Sequence, residues 1–556
     1  MNPLASTKSA GRLLMALPAI ASILLLAACS TGSSSPAPNG EGFNNSNLKG
    51  TYVFSISGTD FHPNTNTGSF FAFVGTIKAD GNGNITGGTV DINDANLGGT
   101  GVFLAQPVLK TAYSVSSDGR GTAHLPTAEG NFGLDFVLTS STHGMITRFD
   151  QFGSGSGTLD LQGSASQSSL GSLAFSLAGS DSTGNPLGTV GAFALNSSTG
   201  AITSGTQDFN DNGVSTVSGS TGLQLTGGSL VLASSGTSGT AVLTTSSIFG
   251  SLAFDVWVID STHLKLIETD SNTSGYALSG DAFTQQTSFT RGPLVYTLAG
   301  VDSGLVNPVA AGGYATTDAN GGLSNLLEDY NDDGTTNTLQ NLSGSCLTFV
   351  AGRCQLNLPT FSNGTAADFQ FAAYPSSGGV QLLEIDGHGL MQGTAYAQTA
   401  TSFAASTGYG LNLSGVNVSS CFSDAWAEVD DIAQFQAGTP DTSSTGPVNM
   451  NGLVDENDLA CELNFNSDLG GVYIPDPSPD GRGSISVSTP STLITGLTLE
   501  YYVVDGSTML FVEGDQQQVA IGTFQAQSST ASAATAQSHM AIVHPAFRAQ
   551  AALRSR

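Results

Sequence analysis

Large apolar and small or polar residues alternate along most of this chain with a period of two, the pattern of half-buried β-strands. The clearest example is Phe54-Ser55-Ile56-Ser57-Gly58-Thr59-Asp60. It returns as Phe175-Ser176-Leu177-Ala178-Gly179-Ser180-Asp181 and as Tyr296-Thr297-Leu298-Ala299-Gly300-Val301-Asp302. A more divergent copy reads Leu411-Asn412-Leu413-Ser414-Gly415-Val416-Asn417, so the glycines are spaced by 121, 121 and 115 residues. The chain is one module written four times. In the first copy the pattern predicts strands over Tyr52–Gly58, Ser69–Ala79, Ile85–Ile92, Tyr113–Val115, Gly121–Leu125, Phe132–Leu138, Met145–Phe149 and Gly157–Leu161. Turn sequences such as Asp80-Gly81-Asn82-Gly83 and Ser117-Asp118-Gly119-Arg120 separate them. No helix is predicted.

Eight short strands joined by sequential turns fit an up-and-down barrel, which leaves no unpaired edge. A two-sheet sandwich is the alternative. In a barrel Phe54, Ile56, Phe175 and Leu177 point inward and the Ser/Ala face outward. The expected fold is all-β: modules at 47–163, 168–286, 292–399 and 402–526, with an Ala/Ser/Gln-rich tail at 527–556. Linkers of a few residues between modules predict a semi-rigid rod or arc.

The first 28 residues read as a leader. Lys8 and Arg12 precede the apolar run Leu13–Leu26, which ends Leu26-Ala27-Ala28-Cys29. This resembles the lipobox of bacterial lipoproteins. The resemblance implies cleavage before Cys29, lipid (palmitate among its acyl chains) on Cys29, and, with Ser30 following, passage to the outer membrane on either face. Residues 29–46 would form a lipid-bearing tether. The module itself resembles tandem repeats of secreted and lipid-anchored proteins from Acidobacteria-type soil bacteria. The shared features are strand-Gly-Thr/Ser-Asp openings, Asp-Gly-Asn-Gly turns, an Asp-x-Asn-Asp block and a Leu-Ile-Glu-x-Asp strand. That resemblance brings no activity with it.

Charge narrows the partners. Lys+Arg number 14 and Asp+Glu 43, a formal net charge of −29. Such a field repels nucleic acid and favours cations and neutral ligands. After Cys29 four cysteines remain. Cys346 and Cys354 flank a short turn and would staple one hairpin; Cys421 and Cys461 would then pair in the fourth module, with other connectivities open.

Two polar constellations recur. The first is Asp91-x-Asn93-Asp94, Asp208-x-Asn210-Asp211-Asn212-Gly213 and Asp329-x-Asn331-Asp332-Asp333-Gly334. Asp208, Asn210 and Asn212, and Asp329, Asn331 and Asp333, match the oxygen spacing of a calcium loop, which would make calcium a cofactor. Gly219 and Gln340 stand where its bidentate acid belongs, and the same residues also make ordinary tight turns. The second is the end of the seventh strand: Glu268 with Asp270, Glu384 with Asp386, Glu513 with Asp515. Period two puts each pair on one face, where they could ring a barrel mouth, hold a polar ligand or act as paired hydrolytic carboxylates. Solvated strand-end acids are the plainer reading, as is a solvated turn for His143 and His263. Trp257 and Tyr502 read as packing residues.

No HExxH, GxSxG, P-loop or dinucleotide motif is present. The expected function is non-catalytic: a lipid-anchored envelope surface protein whose β modules bind a glycan, a small molecule or a protein. A carboxylate-dependent glycoside hydrolase and a passive envelope spacer are the alternatives.

Overall fold

In the computed structural model residues 42–529 are described, apart from 62–67, 99–100, 212–213, 216–221, 246–249, 271–275, 303–306, 351, 363–364, 403, 405–406, 419–426, 439–446, 460–461, 476–479 and 489–495. Cys29, Asn212, Cys421, Cys461 and the roles expected for them therefore lie outside the described residues.

Four closed eight-stranded antiparallel barrels follow one another along the chain. Their first and eighth strands are Lys49–Phe61 and Gly153–Leu161 in barrel 1, and Leu173–Ser180 and Ala277–Thr284 in barrel 2. In barrel 3 they are Gly292–Val301 and Leu390–Ala397, and in barrel 4 Gly408–Asn417 and Gln518–Ala526. Each strand pairs with the next in sequence and the eighth returns to the first, as in the register Phe54↔Leu159 of barrel 1. In barrel 1 the fourth strand is split. Val102–Pro107 pairs with the end of the third strand and Thr111–Val115 with its start.

The alternation sets the interior. Phe54, Ile56, Phe71 and Phe73 fill barrel 1; Phe175, Leu177, Phe193 and Phe209 fill barrel 2. Barrels 3 and 4 have equivalent cores around Tyr296 and Leu298, and around Leu411 and Phe524. The repeated strand-one glycine has a steric cause. A Cβ on Gly179 would lie 1.8 Å from the Ala277 carbonyl oxygen, and on Gly300 1.7 Å from that of Leu390. The eighth strand crosses so close that only glycine fits.

The outward face of small residues is covered as well. Ala174, Val190 and Ala192 of barrel 2 pack on Ala372, Tyr374 and Leu383 of barrel 3. Phe70, Ala72 and Val74 of barrel 1 meet Ile267 and Ala277 of barrel 2. Ala299 and Ala310 of barrel 3 meet Val512 and Ile521 of barrel 4. Barrel 4 then returns to barrel 1, with Ile432 against Val137 and Met145. The rod or arc expected from the short linkers is therefore replaced by a closed circuit of four barrels, because the outer faces carry apolar residues that bury against one another. The ends of the circuit meet where Asn47 Nδ2 donates to the Ser529 carbonyl at 2.9 Å and Ser528 N–H to that of Thr139 at 2.8 Å.

Cys346 and Cys354 form a disulfide across the fourth and fifth strands of barrel 3, Thr335–Val350 and Arg353–Ser362.

Candidate functional site

The two recurrent polar constellations come together, and they do so across the joints between barrels. Asp91 and Asn93 lie on the third strand of barrel 1, Asn84–Asp94; Asp208 and Asn210 lie on Ile202–Asp211 in barrel 2. Asp329 and Asn331 lie on Leu323–Asp332 in barrel 3, and a fourth copy that the sequence pattern did not single out, Asp455 and Asn457, lies on Val448–Asp458. These residues are on strands, not in loops or turns. Period two aims each Asp/Asn pair at the next barrel, since the residue between them in barrel 1, Ile92, belongs to the core.

Each asparagine caps the end of the next barrel's seventh strand. Asn93 Nδ2 donates to the Glu268 carbonyl at 3.2 Å and to Glu268 Oε2 at 3.0 Å. Asn210 Nδ2 donates to the carbonyls of Glu384 at 2.9 Å and Gly389 at 2.8 Å. Asn331 Nδ2 reaches the carbonyls of Glu513, Asp515 and Gln518 at 2.8–3.0 Å. Asn457 completes the cycle on the carbonyls of Arg148 at 3.1 Å and Gly153 at 2.9 Å in barrel 1.

Each aspartate is met by a donor from the fifth or sixth strand of the next barrel. Asp208 accepts Arg353 Nε at 2.6 Å and Nη2 at 2.8 Å, and the Tyr374 hydroxyl at 2.6 Å. Asp329 accepts Arg482 Nε at 2.7 Å and Nη2 at 2.9 Å, and the Tyr502 hydroxyl. Asp455 accepts Arg120 Nη1 at 2.9 Å. Barrel 2 has no arginine there, and Trp257 Nε1 donates to Asp91 instead, at 2.8 Å. Trp257 and Tyr502 are thus joint donors as well as packing residues. The fork-on-carboxylate geometry is the strong form of the bond. The arginines emerge from turns whose preceding glycine is left-handed: Gly119 at φ 87°, Gly352 at 80° and Gly481 at 78°.

A glutamine after the eighth strand adds a third recurrent contact. Gln162, Gln398 and Gln527 donate from Nε2 to the carbonyls of Thr237, Asp480 and Asp118 in the next barrel, at 2.7–3.1 Å.

The strand-seven glutamates are not solvated, while Asp270, Asp386 and Asp515 are partly exposed. Glu268, Glu384 and Glu513 are fully buried. Burial pushes the Glu268 carboxyl up to about 8, and raises those of Glu384 and Glu513 as well, with Asp386 and Asp515 as further causes. Asp270, Asp386 and Asp515 accept the backbone N–H groups of Ala253, Gln370 and Thr498 at 2.6–2.8 Å, pinning the sixth strand to the seventh. His143 and His263 are also buried rather than solvated, because each pairs with an eighth-strand aspartate. His143 meets Asp160 and His263 meets Asp281, both at 2.6 Å. Lys265 shares Asp281 at 2.9 Å, and the two partners hold that carboxyl down at about 2 against its burial.

Of the calcium-spaced residues, Asp208 and Asp329 face guanidinium groups and Asn210 and Asn331 face carbonyls; Asp333 sits beyond its strand at φ 49°. Among the described residues no group of three or more His, Cys, Asp or Glu is arranged to hold a metal ion. Inside barrel 3, Phe289, Leu294, Tyr296 and Leu382 line a void of about 20 Å³. That is room for about one water molecule, not for an organic ligand.

No protein-family model matches the chain, and no curated protein matches it. Among solved structures it is similar to isotype 1 transferrin binding protein B from serogroup B Neisseria meningitidis, at 11% identity over 69% of this chain and 84% of that one, with a TM-score of 0.18. It is similar also to a mutant transferrin binding protein B from Haemophilus parasuis Hp5, at 8% identity over 69% and 83%, with a TM-score of 0.17. At these TM-scores the likeness carries no argument about this chain.

Proposed function

We propose that this chain is a lipid-anchored protein of the bacterial outer membrane, attached through Cys29, whose circuit of barrels is a non-catalytic platform for binding a glycan or a protein through its outer surface. One observation carries the choice of surface over interior. Among the described residues the barrel cores are filled by their own side chains, and the cavities of about 20 and about 100 Å³ at barrel 3 fall below the roughly 300 Å³ of an organic-ligand pocket. The acids and amides support the same reading, since Asp208, Asn210, Asp329 and Asn331 serve the joints and Asp270, Asp386 and Asp515 tie strands within a barrel. The net charge of −29 favours neutral or cationic partners over nucleic acid.

Two measurements test this. Radiolabelled palmitate should enter the chain in a lipoprotein-processing host and be lost in Cys29→Ser, with both forms otherwise equally folded; equal labelling would sink the anchor. The chain carrying Cys29→Ser should retain defined glycans on an array, or envelope proteins of its own cell, with binding kept in Glu268→Gln. Binding abolished by that buried substitution, with the fold intact, would return the site to the strand-seven acids.

A further inference from the structure

Three joints of the circuit are bridged by the chain itself; the fourth, barrel 4 on barrel 1, joins parts of the chain far apart in sequence. It also differs in composition. The barrel 2–barrel 3 joint buries seven apolar residues in one cluster, and the barrel 3–barrel 4 joint buries two clusters around Tyr502 and Val512. The barrel 4–barrel 1 joint has Val137, Met145 and Ile432, with Phe149 edge-on to a half-exposed Phe465.

In place of apolar residues this joint buries polar ones. Asp430 accepts the hydroxyls of Ser154 at 2.7 Å and Ser156 at 2.6 Å, and Asn412 Nδ2 also donates to Ser156. Glu428 lies against Thr59 and Gly58. Arg120 reaches Asp455 while also holding Asp118. The acids outnumber the cations. Glu428 and Asp430 face barrel 1 from the second strand of barrel 4, while Asp431 and Asp60 point into their own barrels immediately behind that face, near enough to act on Asp430 and Glu428. Asp135 and Asp455 flank Arg120, and Arg148 inside barrel 1 is held by Asp60 and Asp150. His143 and Asp160 stand beside the Thr139–Gln525 contact. Polar, unlinked interfaces are those that exchange, whereas obligate ones are apolar.

A joint of this kind is heterologous: the face of barrel 4 fits the face of barrel 1, not itself. Two surfaces complementary within one chain are equally complementary between two chains, and such contacts propagate head to tail or close into larger rings. We propose that the barrel 4–barrel 1 joint is a releasable closure and that, once released, its two faces bind a second copy of this chain, barrel 4 of one copy seating on barrel 1 of the next. The buried acids set the direction. Burial raises the Asp430 carboxyl to about 6 and raises that of Glu428 as well, where the Asp430 charge adds to the effect. A group whose value is higher in the closed form holds the joint fully below its open-form value of about 4, and that contribution is lost as pH rises through the closed-form value. Acid therefore favours the closed circuit and mild alkali the released one. Closure within a chain has the advantage of an effective concentration in the millimolar range, so pairing between copies grows with protein concentration.

The test uses the full chain with Cys29→Ser, in mild detergent, carrying Val137→Cys and Gly410→Cys. A Cβ at Gly410 lies 3.1 Å from both Val137 methyl groups, within reach of a disulfide. The protein is oxidised at pH 5.5 and at pH 8.5 over a concentration series up to the millimolar range, and run without reductant. The expected result is within-chain bridging alone at pH 5.5. At pH 8.5 dimers and longer species should rise with concentration, at least fivefold above the acid sample. Adding Glu428→Gln with Asp430→Asn should restore within-chain bridging at pH 8.5. Within-chain bridging alone at both pH values would overturn the proposal, and so would unbridged single chains at pH 8.5, which would mean opening without a second copy. Light scattering of the chain without the two cysteines is the control for folding. A mass that grows with concentration at pH 8.5 but not at pH 5.5 supports the proposal; a single-chain mass at both overturns it.

Discussion

Asn331 makes the clearest case at the scale of one residue. Its amide donates to three carbonyls and to Glu513 Oε2 in the next barrel, all buried except the half-buried Asp515 carbonyl. Asn331→Ala leaves those acceptors unpaired, so a loss of about 2–3 kcal/mol is expected in chemical denaturation. Asn320→Ala, on an exposed turn, should stay within about 0.5 kcal/mol of the parent. Arg353 and Asp208 act as a unit. Arg353→Met alone strands a buried carboxylate and should cost about 3–5 kcal/mol, while Arg353→Met with Asp208→Leu should recover much of that loss in the same measurement. The inward residues are legible in the alternation itself: Phe54, Ile56, Phe175 and Leu177 lie where period two puts them. The joint residues are not. An aspartate two positions from an asparagine has the letters of a turn or of a cation loop, and nothing in period two says what stands opposite an outward face. Composition does hold a hint. Arg120, Arg353 and Arg482 occupy one repeat position and make up three of the nine cations between residues 30 and 547.

At the scale of the strand, turn chemistry and pairing make the fold legible. Eight strands in sequential hairpins close into each barrel because the third strand pairs back to the second and the eighth to the first. The disulfide is legible for the same reason, since Cys346 and Cys354 flank a turn whose glycine is left-handed. It closes a loop of separation 8, and the loop-entropy model gives it roughly 2.5 kcal/mol. Cys346→Ser with Cys354→Ser should therefore raise amide hydrogen exchange in the Thr335–Val350 and Arg353–Ser362 strands, leaving the Gly408–Asn417 strand unchanged. Equal exchange in both regions would make the bridge irrelevant to that hairpin. The burial of His143 and His263 is hidden in the sequence, because the eighth-strand aspartates that hold them lie 17 and 18 residues away.

For the whole molecule, acids raised by burial outweigh those lowered. Burial brings Glu268, Asp135 and Asp458 to about 8, and Asp211 and Asp255 to about 6. Each contributes stability below its unfolded value near 4 that fades as pH climbs through 6 and then 8. Asp281, held down at about 2, works in the other direction, but only in strong acid. The urea midpoint should accordingly be higher at pH 5 than at pH 8.5; the reverse order would mean that these carboxyls are ionised and paired in the folded state.

The meeting of Asn47 with Ser529 has a consequence for how the chain can be rewritten. Because the two ends of the circuit lie side by side, the order of barrels around it does not depend on which covalent link is missing. A gene that begins at barrel 3, runs through barrel 4 into barrel 1 by a short Gly-Ser splice, and stops after barrel 2 encodes the same four joints with the gap moved elsewhere. In such a permutant the apolar joint of Tyr374 and Leu383 becomes the unlinked one, and the acidic joint of Asp430 becomes continuous. Connectivity and composition, coincident in the natural order, would then be separated.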